Sequence, residues 1–308
     1  MPSSEKNSSF YSEPEDGSSS RSKYFYIVVC LTFVASGAMS TIASKWSDQV
    51  SAPGADGKDI KFDHPFFQTW LMFIGEFTCM IYFLYTVWKK KKDGVPLVEG
   101  EDYTKPMNKF LFAIPAACDF TATTTMYFGL TMTQASVYQM LRGATVIFTG
   151  LFSRFALKRQ FRVYQWFGMC TVTVGLSLVG LSSTLFAKSG EEASNPILGD
   201  ILVICAQLIV SAQMVIEEKI LTTYNVPPYL LVGWEGVFGL GYCTTALFLF
   251  QAFGGQPDNA ILAIYQVGNS WQISTSCFLA LLSFPLLNGT GQIITKNISA
   301  SARMVLDT

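Results

Sequence analysis

The sequence predicts an all-α membrane protein, a multi-pass bundle of helices in a lipid bilayer. Half of the 308 residues are hydrophobic and only 14% are charged, whereas soluble domains average about 25% charged residues. The mean hydropathy is +0.34. A chain this apolar buries its surface in lipid, so we expect the lipid bilayer as a partner. A net charge of −1 is not typical of nucleic-acid binding, so we expect no nucleic acid.

The first 23 residues form a segment rich in serine and acidic residues. Such a composition cannot bury enough apolar surface to offset the entropy lost on ordering, which predicts a disordered tail over residues 1–23. The tail contains no apolar run typical of a cleavable signal peptide. We therefore expect the first apolar run, which begins near Tyr24, to be a retained membrane anchor.

Eight apolar stretches follow the tail. A helix needs about 20 apolar residues to cross the hydrocarbon core, because lipid offers no partner for backbone polar groups. The predicted spans are residues 24–43, 66–88, 110–130, 136–157, 165–185, 198–216, 229–250 and 271–294. Only a few residues separate the third span from the fourth, which predicts a tight helical hairpin.

The distribution of Lys and Arg predicts the orientation of the chain. Fourteen of these residues lie in the tail and in the connections after the second, fourth and sixth spans, and four lie in the connections on the other side. Since cytoplasmic loops carry an excess of Lys and Arg, we expect the N-terminus in the cytosol. The lysine run at 89–92 is typical of a solvated flank after a spanning helix.

Matching residues recur in the two halves of the chain. The first and sixth spans share Ser36 and Ser211, and the second and seventh spans each contain one acid, Glu76 and Glu235. A repeat of five spans is odd, so two copies have opposite topology, as in secondary transporters. We therefore predict two inverted five-helix repeats, residues 24–186 and 187–308, the second of them incomplete.

Charged residues inside the predicted spans are the candidates for a functional site. They are Glu76, Asp119, Arg142 and Glu235. A charge near the bilayer centre costs about 2.5–3.5 kcal/mol, so it usually faces a cavity or a partner. Arg142 follows Ser136 and Gln139 at a three-residue spacing on one helix face. Two interpretations stay open, a solute-binding face and an ion pair of Arg142 with Asp119.

Other polar and small residues favour structural roles. We expect the run at 217–219, near the end of the sixth span, to lie at the membrane interface. The seventh span contains Gly233, Gly236, Gly239 and Gly241, which predict close helix packing or a bend. The cysteines show no CxxC spacing and His64 is the single histidine, so we expect neither a metal site nor a cofactor. No HExxH, GxSxG or Walker-type motif predicts an enzyme.

Several segments resemble the drug/metabolite transporter superfamily, and specifically the F branch of solute carrier family 35. The most specific is PAACDFTATTTMYFGLTMTQASVYQMLRGATVIFTGLFSRFAL at 115–157. Similar segments are DHPFFQTWLMFIGEF at 63–77, GDILVICAQLIVSAQMVIEEKI at 199–220, WEGVFG at 234–239 and TKNISASARMVLD at 295–307. The resemblance covers almost all of the chain after Tyr24.

The resemblance implies ten helices in two inverted repeats, with alternating access around a central cavity. It implies solute contacts at Tyr138, Gln139, Arg142, Lys296 and Ser299, with Lys296 as the cationic residue near solute phosphates. It also implies an endolysosomal or Golgi location, with lysosome membrane foremost and a mitochondrial membrane as the alternative. Similar proteins continue through a ninth and a tenth helix, so we expect a truncated chain of about eight spans and the start of a ninth.

Together these features favour a secondary-active transporter of a small polar organic solute, anionic or nucleotide-sugar-like. In this hypothesis Arg142 and Lys296 attract the anion, while Glu76, Asp119 or Glu235 couples transport to a proton or an ion. The alternative is a transporter-derived scaffold without transport activity, which docks through the tail and the lysine run. We expect a small-molecule solute as a partner, together with a homodimer contact or other membrane proteins.

Overall fold

A computed structural model describes residues 16–54, 59–97, 108–133, 135–158, 160–185, 195–253 and 258–307. In these ranges the chain is almost entirely helical. The helices are α1 (Asp16–Gln49), α2 (Pro65–Lys92), α3 (Ala113–Met132), α4 (Ala135–Leu141), α5 (Ala144–Ala156), α6 (Val163–Leu185), α7 (Pro196–Thr223), α8 (Pro228–Ala252), α9 (Ala260–Asn269), α10 (Trp271–Asn297) and α11 (Ala300–Asp307). Strands β1 (Ser51–Pro53) and β2 (Asp59–Lys61) form an antiparallel hairpin between α1 and α2, and a 3₁₀ helix (Lys109–Phe112) precedes α3.

The eight predicted spans all coincide with helical segments. Five described segments are long and apolar enough to cross a membrane: Lys23–Gln49, Pro65–Lys92, Ile197–Thr223, Pro228–Ala252 and Trp271–Asn297. They correspond to the first, second, sixth, seventh and eighth predicted spans, so the prediction of a multi-pass helical membrane protein is confirmed. That the third, fourth and fifth predicted spans also cross the membrane stays a prediction.

Local signals explain where several helices begin. Pro65 and Pro228 occupy the first turns of α2 and α8, where proline costs no helical hydrogen bond. Asn259 caps α9 by accepting a bond from the Leu262 amide at 3.1 Å. The sequence did not reveal α9 as a separate element, because its ten residues are too few to span a bilayer.

The fourth predicted span is not one helix but two, α4 and α5. Arg142 and Gly143 form a turn between them, in which the amides of Thr145 and Val146 donate to the carbonyls of Arg142 and Gly143 at 3.1 and 3.2 Å. These i to i+3 bonds tighten the backbone as in a 3₁₀ turn. The apolar pattern continues through the break, so hydrophobicity alone cannot predict it. Arg142 therefore lies at a helix end.

The long helices pack in pairs. α1 lies along α10, α2 along α8, and α3 along α7, while α5 contacts α7 and α11. The rings of Trp46 and Trp271 meet with their centroids 6.4 Å apart, which places the end of α1 beside the start of α10. We call this end of the bundle, where α1 ends and where α2 and α10 begin, the hairpin end.

The glycines of α8 allow its close contact with α2. A Cβ atom at Gly233 would lie 2.7 Å from the Cα atom of Met80, and one at Gly236 would collide with the Phe77 amide nitrogen. A Cβ atom at Gly241 would meet nothing within 4 Å. The close-packing interpretation is therefore confirmed for the first part of the glycine stretch.

We expect Gly236→Ala to lower the free energy of unfolding by about 1–3 kcal/mol, because the added methyl group meets backbone that cannot move aside. Thermal unfolding of the purified protein in detergent measures the effect. Gly241→Ala is the matched control on the same helix and should be neutral or slightly stabilising, since alanine favours helix by up to about 1 kcal/mol over glycine. Equal midpoints of thermal unfolding for Gly236→Ala and Gly241→Ala would contradict the close packing of α8 against α2.

A buried polar cluster holds the hairpin end together. Asp258 accepts bonds from His64 Nδ1 at 2.6 Å and from the amides of Phe66 and Phe67 at 2.9 and 3.1 Å. Gln266 Oε1 lies 3.1 Å from His64 Nε2, and its amide nitrogen donates to a carbonyl of β2. His64 is thus a buried structural residue that contacts Asp258, and Asp258 binds the first turn of α2.

Candidate functional site

A cavity of about 610 Å³ lies among α1, α2, α3 and α4. This volume is typical of small-molecule sites, which measure roughly 300–1,000 Å³. The lining combines hydroxyl and amide side chains with aromatic and charged ones. The charged and tyrosine residues in it are Lys45, Asp48, Asp63, Tyr127, Tyr138 and Arg142.

The cavity lies toward the hairpin end. Lys45, Asp48 and Asp63 are exposed there, so solvent reaches the cavity from this side. On α2, α3 and α10 the lining residues farthest from this end are Met72, Thr123 and Phe284, respectively. These three positions form the floor of the cavity.

The structure brings Tyr138 and Arg142 together in this lining. The Tyr138 hydroxyl donates to Met126 Sδ at 3.8 Å. The guanidinium of Arg142 is 41% exposed and lies 3.9 Å from the Asp307 carboxylate. It forms no ion pair with Asp119, so the ion-pair interpretation is wrong as to the partner. The side chain of Gln139 lies outside the described part of the chain.

Lys296 and Ser299 lie apart from this cavity. The ammonium group of Lys296, in the last turn of α10, donates to the Val226 carbonyl at 2.9 Å. Ser299 is buried and its hydroxyl accepts a bond from the Ala302 amide at 3.0 Å in the first turn of α11. Neither residue lines the cavity. In this conformation the predicted solute contacts therefore fall into two groups.

A buried polar network begins one helical turn beyond the floor. On three helices a floor residue is four positions from a polar residue deeper in the bundle, a separation of about 6 Å along the helix. The pairs are Met72 with Glu76 on α2, Thr123 with Asp119 on α3, and Phe284 with Asn288 on α10. Thr123 also donates to the Asp119 carboxylate at 3.5 Å. The cavity floor and the network thus lie about one helical turn apart on each of these three helices.

Glu217 is the centre of this network. Its carboxylate is fully buried and lies 3.3 Å from the guanidinium of Arg303. Gln213 donates to its Oε1 atom at 2.8 Å, and the Gln292 amide donates to its Oε2 atom. Glu217 and Glu218 are both buried, so they lack the contact with water that was expected of them at the membrane interface. The depth of the run at 217–219 in the membrane stays a prediction. α7 continues past the predicted end of the span, and α10 and α11 pack against it.

Arg303 extends the network to α2. It donates to the Asn288 side-chain carbonyl at 3.2 Å, and the Asn288 amide donates to Glu76 Oε1 at 2.7 Å. One carboxyl oxygen each of Glu76 and Glu235 is buried and accepts no bond from the described residues.

The network holds more acidic than basic groups. Glu76, Glu217 and Glu235 are buried around the single guanidinium of Arg303, and the charge of the half-buried Asp119 also acts on Glu76. Uncompensated buried charge is costly, so this arrangement can take up further positive charge. Among the described residues no group of His, Cys, Asp or Glu is arranged to hold a metal ion.

Sequence reasoning found Glu76, Asp119 and Glu235 but missed Glu217, Arg303 and their amide partners. One signal was available, because Gln213 and Glu217 are four residues apart and so share a face of α7. Arg303 gave no such signal, since its partner is 86 residues away.

Comparison with known proteins finds related sequences over most of the chain. A model of the nucleotide-sugar transporter family matches residues 25–233. Solute carrier family 35 member F6 of Mus musculus is 38% identical over 297 residues, which cover 93% of this chain and 79% of that protein. The Homo sapiens protein of the same name is 39% identical over 296 residues, 92% of this chain and 79% of the relative. An uncharacterized protein of Schizosaccharomyces pombe is 31% identical over 287 residues, 90% of this chain and 84% of that protein.

Proposed function

The chain belongs to the nucleotide-sugar transporter family, in the F branch of solute carrier family 35, and we propose that this membrane solute transporter moves a small polar organic solute by alternating access. The observation that carries the proposal is the position of the cavity. The cavity opens at the hairpin end, while the buried network of Glu217 and Arg303 lies beyond its floor. Alternating access requires a site that is open on one side and closed on the other in each state.

The helix pairs support two inverted repeats, residues 24–186 and 187–308. In this proposal α1, α2 and α3 correspond to α7, α8 and α10. If each helix is replaced by its counterpart in the other repeat, the contact between α1 and α10 becomes the contact between α7 and α3. The contact between α2 and α8 is its own counterpart. A packing pattern that survives this exchange is expected of two repeats related by a pseudo-twofold axis.

Reconstitution in lipid vesicles tests the transport function. We expect saturable uptake of at least one solute from a set of labelled nucleotides, nucleotide sugars and amino acids. Absence of uptake throughout, together with tight binding of partner proteins, would instead favour the scaffold alternative. Deletion of residues 1–23, or substitution of the lysine run at 89–92, would then abolish that binding.

We assign Glu235, with Glu76 and Asp119, to proton coupling. Glu76 and Glu235 occupy corresponding helices that pack against each other, and each has a buried carboxyl oxygen without a described partner. Burial of these carboxyl groups also supports this role, because an uncompensated buried charge is costly and a proton removes it.

Glu235→Gln is expected to reduce accumulation driven by an imposed pH gradient at least tenfold, because an amide cannot carry the proton. Exchange of labelled for unlabelled solute, without a gradient, should stay within about twofold of wild type. Vesicle uptake assays under the two conditions separate coupling from binding. Asp93→Asn, an exposed residue at the end of α2, is the control. Full gradient-driven accumulation by Glu235→Gln would remove Glu235 from the coupling role.

We propose that the two groups of solute contacts act in different states. Tyr138, Gln139 and Arg142 would serve the state open at the hairpin end, and Lys296 and Ser299 the state open at the opposite end. The excess of Lys and Arg on the side of the tail supports a cytosolic N-terminus. We further propose an endolysosomal or Golgi membrane as the location.

A further inference from the structure

We propose that the cavity binds an organic zwitterion, a solute with one cationic amine and one carboxylate or similar single anionic group. A nucleotide sugar, whose charge is an anionic diphosphate without a cationic partner, is then a poor ligand. The inference rests on the proposed transport function and names the substrate class of the same cavity. It follows from the charges in the lining and from how they are separated.

The acidic side of the cavity contains Asp48 and Asp63, whose two negative charges outnumber the single positive charge of Lys45 at the same end. The two negative charges act on each other, and both act on the hydroxyl group of Tyr127. Gln68 Nε2 donates to Asp48 at 2.7 Å, which holds that carboxylate at the end of α1. Two carboxylates beside an aromatic ring attract an ammonium group through ion pairing and a cation–π contact.

The basic side consists of Arg142 at the break between α4 and α5, and its charge acts on the hydroxyl group of Tyr138. A guanidinium binds one carboxylate through two parallel hydrogen bonds. The contact with Asp307 is 3.9 Å long and both side chains are more than a third exposed. Such an exposed pair contributes little, so a solute carboxylate can replace it.

The balance of charges disfavours a polyanion. Among the described lining residues Lys45 and Arg142 are basic, while Asp48 and Asp63 are acidic, and Asp307 adds a third carboxylate beside Arg142. A diphosphate would meet only two lining cations, Lys45 and Arg142, whose charges these carboxylates already balance. A zwitterion meets a complementary charge on each side.

The position of Lys296 supports the same conclusion. The family resemblance implies this residue as the cation near solute phosphates, but its ammonium group donates to the Val226 carbonyl at 2.9 Å. It does not line the cavity. In this state Lys296 therefore adds no positive charge to the cavity beyond the charges of Lys45 and Arg142.

Ligand binding to the purified chain tests the inference. The probes are zwitterionic amino acids and dipeptides, each with its N-acetyl derivative, which lacks the cation, and its C-terminal amide, which lacks the anion. Nucleotide sugars complete the set. Thermal shift measurements give the dissociation constants. We expect the best zwitterion to bind at least tenfold more tightly than either of its derivatives and than any nucleotide sugar.

The double substitution Asp48→Asn and Asp63→Asn makes the test specific. It should weaken binding of the zwitterion at least tenfold and leave binding of the N-acetyl derivative unchanged or tighter. Asp59→Asn, an exposed residue of β2 outside the lining, is the control and should leave both unchanged.

Two results separate this inference from the proposed function. Tighter binding and uptake of a nucleotide sugar, or equal binding of a zwitterion and its derivatives, would overturn the inference but leave the transporter intact. Absence of binding and uptake for every probe would overturn both.

Discussion

Arg303→Met is expected to lower the free energy of unfolding by about 3–5 kcal/mol, the usual cost of removing one partner of a buried ion pair. The carboxylate of Glu217 is fully buried, and the guanidinium of Arg303 is the cation that contacts it. Without Arg303 the carboxylate keeps only neutral amide partners, and no water reaches it. By comparison, a surface substitution usually changes the free energy of unfolding by no more than about 0.5 kcal/mol.

Thermal or denaturant unfolding in detergent micelles measures the loss. The double variant Glu217→Met with Arg303→Met should regain most of the stability, because it leaves no unpaired charge and fills a similar volume. Arg162→Met, at an exposed arginine before α6, controls for the loss of a basic residue. Two results would show that Glu217 and Arg303 are not coupled. One is an Arg303→Met variant as stable as wild type, and the other is a double variant no more stable than Arg303→Met.

Arg142→Ala is expected to reduce solute uptake about 10- to 100-fold and to leave the fold intact. A charge-assisted hydrogen bond contributes about 1.5–3 kcal/mol, and its loss weakens binding by that factor. The fold is spared because the guanidinium is 41% exposed and its pair with Asp307 is long. Removal of such a pair costs at most about 1 kcal/mol.

Uptake in vesicles and the unfolding midpoint should be measured on the same preparation. Arg162→Ala, with its exposed side chain outside the cavity, should transport like wild type. Near-normal uptake by Arg142→Ala would remove Arg142 from the solute site. A large loss of stability in that variant would instead show that Arg142 holds α4 against α5.

The fold was predictable to the extent that it depends on local hydrophobicity. The length of apolar runs located the helices, because every backbone polar group in lipid must be bonded within its own helix. The break at Arg142 and Gly143 was not predictable, since the side chains on both sides of it are equally apolar. α9 and the hairpin were missed because they are short and lie outside the long runs.

The candidate site was predictable only in part. Tyr138 and Arg142 were found from their spacing, and Glu76 and Glu235 from their position inside apolar runs. Glu217 was assigned to the interface because it lies near the end of a span. Its burial depends on α10 and α11, which follow much later in the chain and cover this turn.

The sequence by itself determined that this protein is a helical membrane protein and which of its spans contain charges. The length of an apolar run depends only on residues that are neighbours in the sequence, so the sequence alone reveals it. Only the tertiary structure decided which charges meet. Glu76 and Asn288 are 212 positions apart, and Glu217 and Arg303 are 86 apart. Contacts over such distances arise when whole helices pack, because the free energy of burying a charge depends on every group around it.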